Sequence, residues 1–333
     1  MSGFGLDHLP YGVVDGRCVA RYGDAVVELS RVPGLPPVFD GPTLNPFLAL
    51  GRPAWQAVRE RLIEVLSAGT ADLLPLGEPQ LPVAVGDYVD FYSSLEHATN
   101  VGRLFRPDAD PLLPNWRALP VGYHGRAGSV IVSGTPIARP SGLRPSFGPT
   151  EELDFELELG FITGREHVFG FVLVNDWSAR DIQRFEYRPL GPFLGKSFAT
   201  SIAGWITPLA ALEPYLVAAV AQDPEPASYL RVAGDWALDI ALEVELNGEV
   251  ITRGNARGLY WTFPQQLAHA TVNGATVRPG DLFASGTISG FEPGTEGSLL
   301  ESGRGFLADG DTVVLRGRAG SVTLGEVRGT IVP

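Results

Sequence analysis

Leu153-Asp154-Phe155-Glu156-Leu157-Glu158-Leu159-Gly160-Phe161-Ile162 is the stretch that decides the fold class of this 333-residue chain. Read as a strand, it puts Phe155, Leu157 and Leu159 on one face and Asp154, Glu156 and Glu158 on the other, with same-face neighbours roughly 7 Å apart. Working outward, similar strand patterns predict strands over 128–137, 168–174, 236–251, 281–289, 311–316 and 321–331, with a hairpin turning on Asn247-Gly248. With 41 glycines and 28 prolines as punctuation, long helices are rare and the chain reads as mainly β. The clearest helix spans about 53–66, with Trp55, Val58, Leu62 and Leu66 on one stripe and Gly69 as its stop. Shorter helices are expected at 91–101, 177–187 and 264–270. The stretch 71–85, with Pro75, Pro79 and Pro82, has the composition of a semi-rigid connector, which sets a first unit at 1–82 and a second at 83–333.

Carboxylates on one strand face repel unless water screens them, a proton neutralises one, or a cation bridges them; oxygen ligands suit Mg2+ or Ca2+. The pattern alone does not choose, because Glu243-Val244-Glu245 repeats it on a hairpin whose solvated outer face explains it. Asp176 favours a metal site, since it ends an apolar strand just before Trp177-Ser178-Ala179-Arg180, where acids can converge on a cleft. Asp90 opens the segment Phe91-Tyr92-Ser93-Ser94-Leu95-Glu96-His97 and, taken alone, reads as a helix N-cap sooner than as a ligand. If it caps, His97 lies two turns on, roughly 10 Å along the axis, where a base could stand beside a metal without binding it.

Lys and Arg total 25 against 38 Asp and Glu, a net charge of -13, which argues against nucleic-acid or anionic-membrane partners. The single cysteine, Cys18, excludes an intramolecular disulfide framework and fits a reduced, cytoplasmic setting. The start of the chain carries no basic leader and no stretch is long and apolar enough to span a bilayer. His8, His124, His167 and His269 show no metal spacing. Gly191-Pro192-Phe193-Leu194-Gly195-Lys196-Ser197 falls one residue short of a phosphate-binding loop, and Pro192 removes an N–H donor, so nucleotide binding is rejected while Lys196 is kept as a contact for an anionic substrate. With no GxSxG elbow and no base near Cys18 in sequence, water is the expected nucleophile.

Set together, Asp90-Phe91-Tyr92-Ser93-Ser94, His97-Ala98-Thr99-Asn100, Pro120-Val121-Gly122-Tyr123-His124-Gly125-Arg126 and Asn175-Asp176-Trp177-Ser178-Ala179-Arg180-Asp181-Ile182-Gln183 resemble the fumarylacetoacetase family. The resemblance continues through 189–198 and 284–290 and extends weakly to Pro42-Thr43-Leu44-Asn45. It implies a small SH3-like N-terminal domain, a larger mixed β-sandwich roll with short helices, and a homodimer. It implies Asp90, Glu156, Glu158 and Asp176 as ligands of Mg2+ or Ca2+, with Lys196 and Thr200 flanking them. It assigns His97 and Glu301 to the dyad that activates water. Arg180, Gln183 and Lys196 would stabilise developing negative charge, while Tyr92, Arg106, Tyr123, Arg180, Gln183, Tyr187 and Thr287 would hold the substrate.

The implied reaction is hydrolysis of the carbon–carbon bond of fumarylacetoacetate, a small dianionic diketo acid, to fumarate and acetoacetate, the last step of tyrosine and phenylalanine catabolism through homogentisate. The proton donor to the leaving enolate is unassigned. The chain is shorter than the family pattern at 162–167 and 302–305, so those loops cannot be copied across. A decarboxylase, isomerase or tautomerase of the same superfamily, acting on a 2-oxo or 1,3-dicarbonyl acid, is the nearest rival. A catalytically idle binding protein with a structural cation is a second, opposed by the presence of both His97 and Glu301.

Overall fold

The computed structural model describes residues 3–234 and 236–333. Most of its order lies in two sheets. The larger has 13 strands and runs from the N-terminal strands Tyr11–Val14, Arg17–Tyr22 and Ala25–Glu28, through Trp205–Pro208, His167–Asp176 and Leu157–Gly164, to Leu282–Ala284, Tyr88–Phe91 and Gly122–His124. The smaller has five strands: Glu249–Asn255, Ala241–Leu246, Thr312–Ala319, Val322–Val332 and Ile137–Ala138. His167–Asp176 and Val322–Val332 pack face to face between them. This approach needs Gly329, since a Cβ there would lie 2.3 Å from the Trp177 ring. The mainly β expectation is correct, and the Asn247-Gly248 hairpin forms with both turn residues at positive φ, 52° and 87°.

The helix over Arg52–Ser67 buries Trp55, Val58, Leu62, Val65 and Leu66, the predicted stripe with Val65 added. Trp55 lies against Gly164 and edge-on to Phe169, so the helix packs on the turn of the central hairpin. The connector reading of 71–85 needs correcting. Leu73–Pro75 pairs with Ala25–Glu28, and Pro79–Gln80 pairs with Tyr11–Val14. Proline is tolerated there because these are peripheral strands with few ladder bonds to lose. Tyr11 also pairs with Ile206, so the first sheet strands continue into the second unit.

Four boundaries differ in ways that matter for the site. The predicted strand 153–162 is broken: Leu153–Asp154 pairs with Ser178–Ala179, while Leu157–Gly164 pairs with His167–Asp176. The helix expected over 91–101 is Leu95–Phe105, capped by the Ser94 side chain. Asp90 therefore belongs to a strand and caps nothing, and His97 is the third residue of the helix. The expected strand 281–289 ends at Ala284 because Gly286 has φ +76°, and a Cβ there would meet the Phe91 carbonyl at 2.1 Å. The helix expected over 177–187 is Arg180–Glu186, preceded by the short strand Ser178–Ala179. No helix among the described residues is long and apolar enough to cross a membrane.

Candidate active site

Three strand ends bring acids together. Asp90 is in Tyr88–Phe91, Glu158 in Leu157–Gly164, and Glu156 in the break just before it; Asp176 ends His167–Asp176. All four are buried, Glu158 completely. Asp90, Glu156 and Glu158 each place one carboxylate oxygen within 4.8 Å of the others. Among the described residues, Asp90 Oδ1 and both Glu158 oxygens have no hydrogen-bond partner. Buried anionic oxygens without donors are costly, and hard cations take oxygen ligands, so this donor set fits a divalent ion.

The electrostatics agree. Burial pushes Glu158 well above the usual carboxylate range, and Asp90, Glu156 and Asp176 push it further; burial and Asp176 do the same to Asp90. For Glu156, burial would raise the pKa, but Lys196, Arg180 and His97 reverse this and hold it at about 2. Burial opposes the Lys196 ammonium, yet Asp176 and Glu156 raise its pKa on balance.

Asp176 stands apart from the triad. Its Oδ1 accepts from Thr200 at 2.7 Å, and its Oδ2 accepts from Tyr123 at 2.7 Å and from Lys196 at 3.0 Å. The Lys196 ammonium also reaches Glu156, so it bridges the two acids. The glycine loop that carries Lys196 has its own carboxylate: Glu186 Oε1 accepts from Phe193 and Gly195 backbone N–H groups at 2.8 and 2.7 Å. Those donors are spent, as the rejection of nucleotide binding expects.

On the other side of the same cavity, His97 Nδ1 lies 2.7 Å from Glu301 Oε2. Burial would raise the Glu301 pKa, but the His97 ring and hydrogen bonds from His97, Asn100 and Ser298 hold it at about 2. Ionised Glu301 can only accept here, so His97 Nδ1 is the donor of this bond, which in a neutral ring leaves Nε2 as the acceptor. Asn100 donates to Glu301 Oε1 at 3.0 Å, and Ser289 and Ser298 donate to Oε2 at 2.8 Å each. Asn100 and Ser289 fall within the stretches that carry the family resemblance but have no role assigned there, and Ser298 falls outside them. A signal existed: Ser298-Leu299-Leu300-Glu301 has the S-x-x-E spacing of a helix start.

The cavity, about 370 Å³, is lined by Asp90, Glu156, His97 and Lys196 and by the expected substrate contacts Tyr92, Arg106, Tyr123, Arg180, Gln183, Tyr187 and Thr287. Glu158 stands behind Asp90 and Glu156, Asp176 behind Lys196 and Glu301 behind His97, and Thr200 bonds Asp176. Arg180 Nη1 bonds Glu156 Oε1 at 2.7 Å and Gln183 Oε1 at 3.3 Å, while Nη2 has no partner. Thr287 Oγ1 and Arg106 Nε are also unpaired, although Arg106 Nη2 donates to the Pro111 carbonyl. Tyr92 packs edge-on to His97 at 5.1 Å between ring centroids. Cys18 is outside the site, its thiol pushed up to about 11 by burial.

Residues 88–332 match the family model for the C-terminal part of fumarylacetoacetate hydrolase, and residues 7–78 match that for the N-terminal part of fumarylacetoacetase. The chain belongs to the fumarylacetoacetase family. The family's members include the fumarylacetoacetase of Rattus norvegicus, 44% identical over a 405-residue alignment that spans 100% of this chain and 97% of the relative. Those of Homo sapiens and Arabidopsis thaliana are each 42% identical, over 100% of this chain and 97% and 96% of their own length. The rat alignment is 72 positions longer than the 333 residues of this chain, so it sets that many gaps against the relative. Among solved structures, fumarylacetoacetate hydrolase from Exiguobacterium antarcticum superposes with a TM-score of 0.65 at 18% identity, covering 97% of this chain and 99% of that one. Maleylpyruvate hydrolase from Sphingobium gives 0.61 at 17% identity, with the same coverages. These two show the shared fold.

Proposed function

We propose that the chain hydrolyses the carbon–carbon bond of fumarylacetoacetate to give fumarate and acetoacetate, and that Asp90, Glu156, Glu158 and Asp176 hold the divalent cation the reaction uses. The observation that carries this reading is that a Glu301-oriented histidine lines the same cavity as Asp90 and Glu156, with the unpaired oxygen of Asp90 and those of Glu158 close beside them. Asp176 Oδ1, which accepts only from Thr200, keeps a lone pair for a ligand role. When bound, Mg2+ or Ca2+ would supply a Lewis acid to the diketone oxygens.

The chain's own groups do the rest. His97 Nε2 takes a proton from water as the water oxygen adds to the carbonyl on the fumaryl side, and Glu301 stabilises the resulting imidazolium. Arg180, Gln183 and Lys196 stabilise the alkoxide that forms. Collapse re-forms the carbonyl as a carboxylic acid and expels the acetoacetate carbon as an enolate, which a proton then completes. The substrate is a dianion and the protein carries -13, so Arg106, Arg180 and Lys196 supply the local positive field that the whole molecule lacks. The proposal includes a homodimer in the cytoplasm, an SH3-like first unit at 1–82 and a catalytic unit at 83–333.

The test is to incubate the purified protein with fumarylacetoacetate, follow loss of the diketone absorbance with Mg2+, with Ca2+ and with a chelator, and identify the products. Fumarate and acetoacetate in equal amounts, dependent on the cation, are expected. Consumption without fumarate would move the assignment to an isomerase or decarboxylase of the superfamily.

A further inference from the structure

Asp154 lines none of the cavities described above, is fully buried, and yet touches both halves of the site. Its Oδ2 accepts from Arg180 Nε at 2.9 Å, and Oδ2 also accepts from the Leu300 backbone N–H at 3.0 Å. Its Oδ1 accepts from the Leu299 backbone N–H at 2.8 Å and from the Phe155 backbone N–H at 2.8 Å. Leu299 and Leu300 begin the short helical turn Leu299–Ser302 that carries Glu301. One carboxylate therefore fixes a guanidinium on the oxyanion side and the backbone beneath the carboxylate of the dyad.

From this juxtaposition we infer that Asp154 is a positioning residue, which sets the distance between Arg180 and the Glu301–His97 pair by binding both supports at once. The inference rests on the proposed roles of Arg180, His97 and Glu301. The contacts leave few other ties of the same kind. Glu301 is seated by Asn100, Ser289 and Ser298, and the Leu157 N–H holds the Gly297 carbonyl just before the turn, while the first two N–H groups of the turn itself, those of Leu299 and Leu300, are held by Asp154. Arg180 has two carboxylate partners, Asp154 and Glu156; the Glu156 bond runs from Nη1, and only Asp154 holds Nε and with it the plane of the guanidinium. The break in the strand after Asp154 makes this possible. Leu153–Asp154 pairs with Ser178–Ala179, next to Arg180 in sequence, rather than running on into the sheet strand Leu157–Gly164 that carries Glu158.

Asp154→Asn keeps the size and one acceptor oxygen, but it turns an amide donor towards groups that are themselves donors. Its kcat should fall about 100-fold, the cost of misplacing reacting groups by roughly an ångström, while KM changes less than threefold because the residue meets no substrate. In the Glu301→Gln background the same substitution should lower kcat by no more than about threefold further, since the turn then has no ionised dyad partner to place. Fully multiplicative losses in that cycle, or a KM effect larger than the kcat effect, would overturn the inference.

A second arm needs no turnover and so separates this inference from the reaction assignment. In the resting protein, Asp154→Asn should speed amide hydrogen exchange at Leu299 and Leu300 at least tenfold and broaden the His97 Nδ1 proton resonance. Unchanged exchange and an unchanged His97 resonance would defeat the coupling even if hydrolysis is confirmed. Should that variant fail to fold, Arg180→Lys removes the Nε bond from the other end; the His97 resonance must then shift if Asp154 transmits position, and its constancy would count against the role.

Discussion

Glu156-Leu157-Glu158 and Glu243-Val244-Glu245 share one pattern, an aliphatic residue between two glutamates, and meet opposite fates. In both, the central aliphatic residue is fully buried. Around Glu243 and Glu245 the neighbouring strand supplies Arg316, 2.8 Å from Glu245 and 3.7 Å from Glu243, and both acids keep water contact at 23% and 33% exposure. Around Glu156 and Glu158 both strand faces are covered. Lys196 and Arg180 answer Glu156 alone, and Glu158 is left with unpaired oxygens beside Asp90. Alternation along a strand reports which residues share a face. It does not report what lies opposite, and the cross-strand partner decides whether two acids form an ion-pair lattice or a cation site.

The sharpest way to break the comparison is Glu156→Gln. It removes a proposed ligand and takes one of the two carboxylate partners from each of Lys196 and Arg180, so cation affinity and kcat should fall together by on the order of 10³-fold. Calorimetric titration with Mg2+ and Ca2+ alongside steady-state kinetics checks this; lost activity with unchanged cation affinity would take Glu156 out of the ligand set.

Acid titration tests the other buried acid that is held ionised. Glu301 sits at about 2 in the folded chain, against an ordinary value near 4.3. A carboxyl with a depressed folded pKa contributes stability that is fully present above its unfolded value and is lost as pH falls from about 4.3 through about 2. The contribution is on the order of 3 kcal/mol. Denaturant unfolding of the chain and of Glu301→Gln at pH 6 and pH 3 should show a large gap at pH 6 that narrows at pH 3. An equal gap at both would mean that the charge on Glu301 is not what the Asn100, Ser289 and Ser298 donors stabilise.

His97→Ala separates base from ligand. It should lower kcat by roughly 100-fold and leave calorimetric cation affinity within a few fold, because no proposed ligand is removed. Full activity would exclude His97 as the base.

Much of this was legible before the fold. The alternating runs give the β class, the stripe Trp55, Val58, Leu62 and Leu66 gives the long helix, and the Asn-Gly turn gives the hairpin. The four acids became one site only through the family resemblance, since no local pattern tells Glu158 from Glu245. What stayed hidden was non-local. Asp154 counts as a third acid on the metal face if the strand is continuous, and the break after it depends on pairing with Ser178–Ala179, more than 20 residues away. The prolines of 71–85 suggested a connector because proline excludes a central strand, not an edge one. The strand expected to continue to 289 stops where Gly286 passes under the Phe91 carbonyl, a contact that only the assembled sheet creates.

The smallest effect is expected where the motif is plainest. Glu243→Gln with Glu245→Gln leaves Arg316 with Glu326 at 3.5 Å, and all these groups reach water, so the loss should stay under about 1 kcal/mol. It should shrink further in 1 M salt, where the Debye length is about 3 Å and exposed pairs are screened. Calorimetric affinity for Mg2+ or Ca2+ should match that of the unaltered chain, and kcat with it. Denaturant unfolding at low and high salt, beside the cation titration, measures all three. A tenfold loss of cation affinity in the double variant would show that the hairpin also holds an ion, and the distinction drawn from Arg316 would fail. A stability loss that persists in high salt would instead mean that the pairs act through packing of the Arg316 stem across the strands rather than through charge.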